Sequence, residues 1–110
     1  MATKANLVID QGTDYSTVVN VTDDDGYPIN LTGYTGRGQI RKHYTSSNAV
    51  SFAVSVSNTE GGQLTLALTA TQTSKMVAGR YVYDVEVVSS ANIVSRIVEG
   101  IVTLTPEVTR

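Results

Sequence analysis

The stretch VSFAVSVS, Val50–Ser57, decides the fold. Val50, Phe52, Val54 and Val56 alternate with Ser51, Ala53, Ser55 and Ser57, so a strand here has one apolar face and one small, polar face. A strand with one wet face fits an antiparallel sheet that packs on its other side. The same period recurs in QLTLALT, where Leu64, Leu66 and Leu68 alternate with Thr65, Ala67 and Thr69. In RYVYDVEV, Tyr81, Tyr83, Val85 and Val87 face one way, and Asp84 and Glu86 the other.

Weaker versions predict strands over ANLVID (Ala5–Asp10), YSTVVNVT (Tyr15–Thr22), TGRGQIRK (Thr35–Lys42) and NIVSRIVEGIVTLT (Asn92–Thr105). Turn residues separate them at Gln11-Gly12, Asp25-Gly26, Gly61-Gly62, Ala78-Gly79 and Ser89 to Asn92, a spacing that suits sandwiches and barrels. Thr69–Gly79, TATQTSKMVAG, breaks the alternation. It reads as one helical turn, with Thr69 or Thr71 as N-cap and Gly79 as the left-handed residue after its C-terminus. The next residues, Gly79-Arg80-Tyr81, suggest the tyrosine corner of an immunoglobulin-like sandwich, in which a Tyr early in a strand bonds back to the preceding connection. The expectation is all-β: an immunoglobulin-like antiparallel β-sandwich of about seven strands, with one short helical turn at the crossover. Residues 1–110 form a single domain, and residues 1–5 read as an extended arm.

Composition narrows the function. The formal net charge of −2 provides no global field for nucleic acid or an anionic membrane. The absence of Cys excludes disulfides, thiolate catalysis and cysteine metal sites. MATKANLVID lacks the apolar run of a signal peptide, and no apolar stretch approaches the ~18 residues of a membrane span. The chain is therefore expected inside the cell when made, where the sequons at Asn20 and Asn30 stay unglycosylated.

The chemical candidates read mainly as structure. Asp23-Asp24-Asp25-Gly26 is a β-turn with Asp25 and Gly26 at its tip. A weak calcium site made with other loops is the competing reading, although Tyr34 stands where an EF-hand loop needs Glu. Gly33-Tyr34-Thr35-Gly36-Arg37-Gly38 matches neither phosphate-binding glycine pattern, and Gly36 and Gly38 instead leave one strand face open to a close neighbour. His43 is the sole histidine, and Asp84 and Glu86 are an ordinary pair of outward carboxylates. No catalytic, cofactor-binding or metal-ligating residue is predicted, nor any small-molecule substrate. Arg37, Gln39 and Arg41 share a strand face, either solvated or a contact strip for an acidic partner. On the last strand Ile93, Ile97 and Ile101 fall on one face and Val94, Val98, Val102 and Leu104 on the other. Two apolar faces call for cover on both sides, which makes the isoleucine face a candidate subunit interface.

The phrases Asp25-Gly-Tyr-Pro-Ile-Asn-Leu-Thr-Gly33 and Gly79-Arg-Tyr-Val-Tyr-Asp84, with the closing RIVEGIVTLTPEVTR, resemble β-sandwich modules of tailed-bacteriophage virion proteins. These include the N-terminal domain of baseplate upper proteins and related tail, fibre-attachment or decoration proteins. The resemblance implies a hairpin turn followed by a bend that Leu31 anchors and Gly33 closes. It also implies a homo-oligomeric structural subunit of the virion, made in the host cytoplasm, whose partners are other virion proteins. Because the chain ends at Arg110, directly after the last strand, a stand-alone adaptor or accessory subunit is expected. The alternative is an immunoglobulin-like carbohydrate- or cell-surface-binding module, for which Tyr27, Tyr34 and Tyr44 would supply stacking rings.

Overall fold

The computed structural model describes residues 3–23 and 25–109. Their strands are β1 (Thr3–Lys4), β2 (Leu7–Asp10), β3 (Tyr15–Asn20), β4 (Thr35–Arg41), β5 (Val50–Ser51), β6 (Ala53–Asn58), β7 (Gln63–Leu68), β8 (Gly79–Val88) and β9 (Val94–Thr105), with helix α1 (Ala70–Ser74) between β7 and β8. They form a two-layer, all-β sandwich. The larger sheet runs β1-β9-β8-β4-β5, with β2 also on β9, and the smaller runs β3-β7-β6. The smaller order matches B-E-D, and β4-β8-β9 matches C-F-G, of an immunoglobulin-type sandwich.

Nine strands replace the expected seven because one expected strand divides and the expected N-terminal arm supplies another. Val50–Ser57 divides at Phe52: β5 pairs with β4 in one sheet, and β6 pairs with β7 in the other. The alternation persists through the crossing, so Phe52 remains buried. Its ring meets Tyr83 edge to face at a centroid distance of 6.1 Å. The space it needs comes from Gly38, where a Cβ would approach the Phe52 ring at 3.2 Å and the Asp84 carbonyl oxygen at 3.1 Å. Gly36 does the same for Val54.

The N-terminus also departs from expectation. Residues 3–5 are stitched to the sheet edge, where Thr3 and Lys4 pair parallel with Val98 and Glu99. Ala5 N–H then donates to Glu99 O at 2.9 Å. After a jog at Ala5-Asn6, β2 continues along β9, again parallel, from Leu7↔Val102 to Asp10↔Thr105. These parallel pairings are the exception in an otherwise antiparallel sandwich. The jog is seated by side chains far away in sequence. Tyr83 Oη donates to Ala5 O at 2.6 Å, Asn6 Oδ1 accepts from Ile101 N–H at 3.1 Å, and a Cβ on Gly100 would overlap the Ala5 carbonyl.

Helix α1 forms where predicted, and the structure selects Thr69 as its N-cap. Thr69 Oγ1 accepts from Gln72 N–H, and Gln72 Oε1 accepts from Thr69 N–H, a reciprocal capping box. Gly79 does not terminate this helix. The C-cap is Lys75, Met76 then drops into the core, and Gly79 opens β8 at φ +145°. Fully buried Thr73 donates to Thr13 O at 2.8 Å, and Gln11 Nε2 donates to Met76 O at 2.8 Å, so the crossover is fastened to the β2–β3 turn. Between the sheets lie Ile9, Leu31, Ile40, Leu64, Leu66, Leu68, Val85, Val102 and Leu104. Among the described residues no buried side-chain nitrogen or oxygen lacks a hydrogen-bond partner.

Candidate docking surface

The predicted turn residues Asp25, Gly26, Leu31 and Gly33 occupy two linked bends before β4, and Gly79 and Tyr81 open β8. Asp23 Oδ1 accepts from Asp25 N–H at 2.9 Å and Tyr27 N–H at 3.0 Å, and Gly26 N–H donates to Asp23 O at 3.0 Å. This carboxylate is thereby committed to its own turn. Asp24, the middle carboxylate of the candidate calcium turn, lies outside the described residues. Leu31 is buried, and Tyr34 N–H donates back to Leu31 O at 3.0 Å around Gly33 at φ +79°, the third position of a type II turn. At the far end of β4, Tyr81 Oη donates to Val77 O at 2.5 Å, the bond of a tyrosine corner. Lys42 Nζ sits 4.8 Å above the Tyr81 ring and donates to Arg80 O at 2.9 Å.

These bends hold the outer face of the larger sheet, on which Arg37 and Arg41 lie together. Register places Arg37 opposite Glu86, and Arg37 Nε bonds Glu86 Oε1 at 2.8 Å. Arg41 reaches Gln39 Oε1 at 2.9 Å and also donates to Ser46 O. Arg96, which the sequence reading passed over, bridges Asp84 at 3.4 Å and Glu99 at 3.1 Å. Burial pushes the Asp84 carboxyl above its ordinary value; Glu86 and Glu99 add to that, while Arg96 and Arg41 oppose it. Alternating charges across adjacent strands thus make a fixed, largely self-paired ladder. Each exposed pair contributes only about 0–1 kcal/mol.

The structure does not bring Ile93, Ile97 and Ile101 onto one face. Val85 pairs with Val98 but Glu86 pairs with Arg96, so Ile97 is the extra residue of a β-bulge. Alternation changes phase there. Ile97 packs against the core, Ile101 faces outward at 40% exposure, and Ile93 lies in the preceding turn at 64%. Val94 is displaced likewise and is exposed, while Val98, Val102 and Leu104 are buried. Outward-facing Ile101 sits opposite Val82, beside Arg41 on the next strand, as a small apolar spot at the end of the charge ladder.

The smaller sheet presents a different outer face. Ser16, Val18 and Asn20 of β3, Thr65 and Ala67 of β7, and Ala53, Ser55 and Ser57 on or beside β6 carry no charge. Tyr27 and Tyr44 are 70% and 82% exposed, but β4 lies between their loops, and its seven residues span roughly 20 Å. Tyr34, the third candidate ring, is half-buried against the core. His43 is exposed in the turn after β4, where its N–H donates to Ser46 Oγ at 3.0 Å. Among the described residues, no three His, Asp or Glu side chains gather as metal ligands.

No family model matches the chain, and no curated protein matches it. Among solved structures, an internalin-like protein of Listeria monocytogenes aligns over 96% of this chain and 28% of its own, with 16% identity and a TM-score of 0.44. A family 123 glycoside hydrolase from Clostridium perfringens aligns over 97% of this chain and 24% of its own, with 11% identity and the same TM-score, 0.44. The chain spans less than a third of either protein's length. At this identity and score, neither says what it binds or does.

Proposed function

We propose that the chain is a structural virion protein of a tailed bacteriophage, an adaptor or accessory subunit of tail, baseplate or capsid surface that acts by docking on neighbouring proteins. The observation that supports this best is how the polar groups are used. The Arg37–Glu86 and Asp84–Arg96–Glu99 pairs tie charged side chains to one another across the outer face, even where Arg37, Asp84 and Glu86 line a hollow beside Gly36 and Gly38, and the interior is filled by side chains. Of the phrases through which the sequence resembles virion modules, Asp25–Gly33 forms the bends before β4, and Gly79–Asp84 opens β8 at the tyrosine corner; both border this face.

The test is to raise an antibody against the chain and probe purified phage particles from a host that makes it. The protein is expected to cosediment with tailed particles at a fixed copy number. Its recovery only from the soluble fraction would refute the assignment. Ile101 is the residue to charge: Ile101→Glu is expected to weaken incorporation while leaving the fold intact. The same charge at Ile97 would instead report on folding.

A further inference from the structure

We infer that β3 is a self-complementary docking edge, by which two copies of this chain join their smaller sheets antiparallel across a two-fold axis. The inference deepens the docking reading above and rests on it for the presence of many copies close together. β3 pairs with β7 without a break, from Tyr15↔Leu68 to Asn20↔Gln63, and takes no strand on its other side among the described residues. One residue further on, Val21 N–H donates to Gly62 O at 2.6 Å. This phase gives the backbone bonds of Tyr15, Thr17 and Val19 to β7, and points the N–H and C=O groups of Ser16, Val18 and Asn20 outward.

Proteins normally protect such an edge with lysine, proline, an inward charge or a bulge. Tyr15–Asn20 has none of these. The opposite edge of the same sheet, β6, does carry a register break, between Val56 and Asn58. The larger sheet's edge at β9 is covered by β1 and β2.

The occupant follows from register and charge. If Val18 lies opposite its own symmetry mate, Ser16 lies opposite Asn20 of the second copy, and all three outward-pointing residues exchange both backbone bonds, about six in total. The Ser16 and Asn20 side chains meet as a hydrogen-bonding pair, and no like charges face each other. Val18, 53% exposed, is the one branched apolar side chain on this outer face, and the two-fold axis buries it against itself. A strand edge alone covers less than the roughly 1,200 Å² of a stable interface. The free protein should therefore be in a concentration-dependent monomer–dimer equilibrium, strengthened where a particle holds copies close together.

Sedimentation velocity over a wide concentration range tests this with the wild type, Val18→Pro and Val18→Lys. Proline removes an N–H that β7 does not use, and lysine opposes its own charge across the axis without altering the backbone. The wild type is expected to dimerise, and both variants to remain monomeric with an unchanged circular dichroism spectrum. If Val18→Pro misfolds, Val18→Lys decides. A Val18→Lys variant that dimerises as tightly as the wild type refutes the edge but leaves docking through another surface intact. A wild type that stays monomeric at the highest concentration refutes self-association altogether.

Discussion

The two sheets end differently. At β9 the larger sheet is closed by a parallel N-terminal strand, seated by the Gly100 gap, the Tyr83 hydroxyl and the Asn6 amide. At β3 the smaller sheet ends among the described residues, with the backbone groups of three residues turned outward and no charge on the strand. An open row of strand donors and acceptors is a template for another strand, so its cover at one edge and exposure at the other separate a structural end from a docking end. The outer faces follow the same division: the covered sheet carries the ion-pair ladder, and the open one carries serine, threonine and alanine.

The contrast breaks most severely if the covered edge is opened. Gly100→Ala places a methyl on the Ala5 carbonyl and should displace β1 and the jog. The expected cost is on the order of 1–3 kcal/mol in denaturant unfolding, with self-association appearing at lower concentration because the β9 edge at Val98 and Glu99 is then bare. Tyr83→Phe removes the bond to Ala5 O and should cost about 1 kcal/mol.

The same tyrosine gives a pH signature. Burial, with a smaller contribution from Tyr15, pushes its hydroxyl from 10.0 up to about 12. The folded state holds this proton more tightly than the unfolded chain. The contribution is therefore complete below pH 10.0 and is lost as pH rises towards about 12. Thermal melts across that window should fall less steeply for Tyr83→Phe than for the wild type. A variant that follows the wild type would remove Tyr83 as the source.

The charged face sharpens the comparison through smaller effects. Asp84 has a raised carboxyl pKa, so the folded state binds its proton more tightly and its contribution to stability grows as pH falls through the carboxylate range. Relative to Asp84→Asn, the wild type should gain stability on acidification in melts at successive pH values. Arg37→Ala breaks one exposed pair and should change stability by less than about 1 kcal/mol, an effect that added salt diminishes.

What the sequence made legible was local. Leu64, Leu66 and Leu68 point inward as their alternation requires, and Thr69 and Gln72 close their capping box across one turn. Tyr81 reaches only four residues back for its acceptor. The misread features depend on partners distant in the chain. The phase change at Ile97 is set by the pairing of Val98 with Val85 and of Arg96 with Glu86, which no reading of β9 alone contains. The break at Phe52 leaves alternation intact because the strand changes sheets without turning its side chains over. The N-terminal seat joins residues 5 and 83, and only the assembled sheet reveals why Gly100 lacks a side chain. Arg96 escaped notice for the same reason, since its carboxylate Asp84 lies on the neighbouring strand.

The most direct test of the central claim, that β3 is the open edge and docks another copy, is residue-resolved amide hydrogen exchange at low and high protein concentration. At low concentration the Ser16, Val18 and Asn20 amides should exchange rapidly while those of Thr17 and Val19 are protected by β7; at high concentration the first three should slow together. Protection of those three amides at low concentration, or rapid exchange that concentration leaves unchanged, would contradict the account.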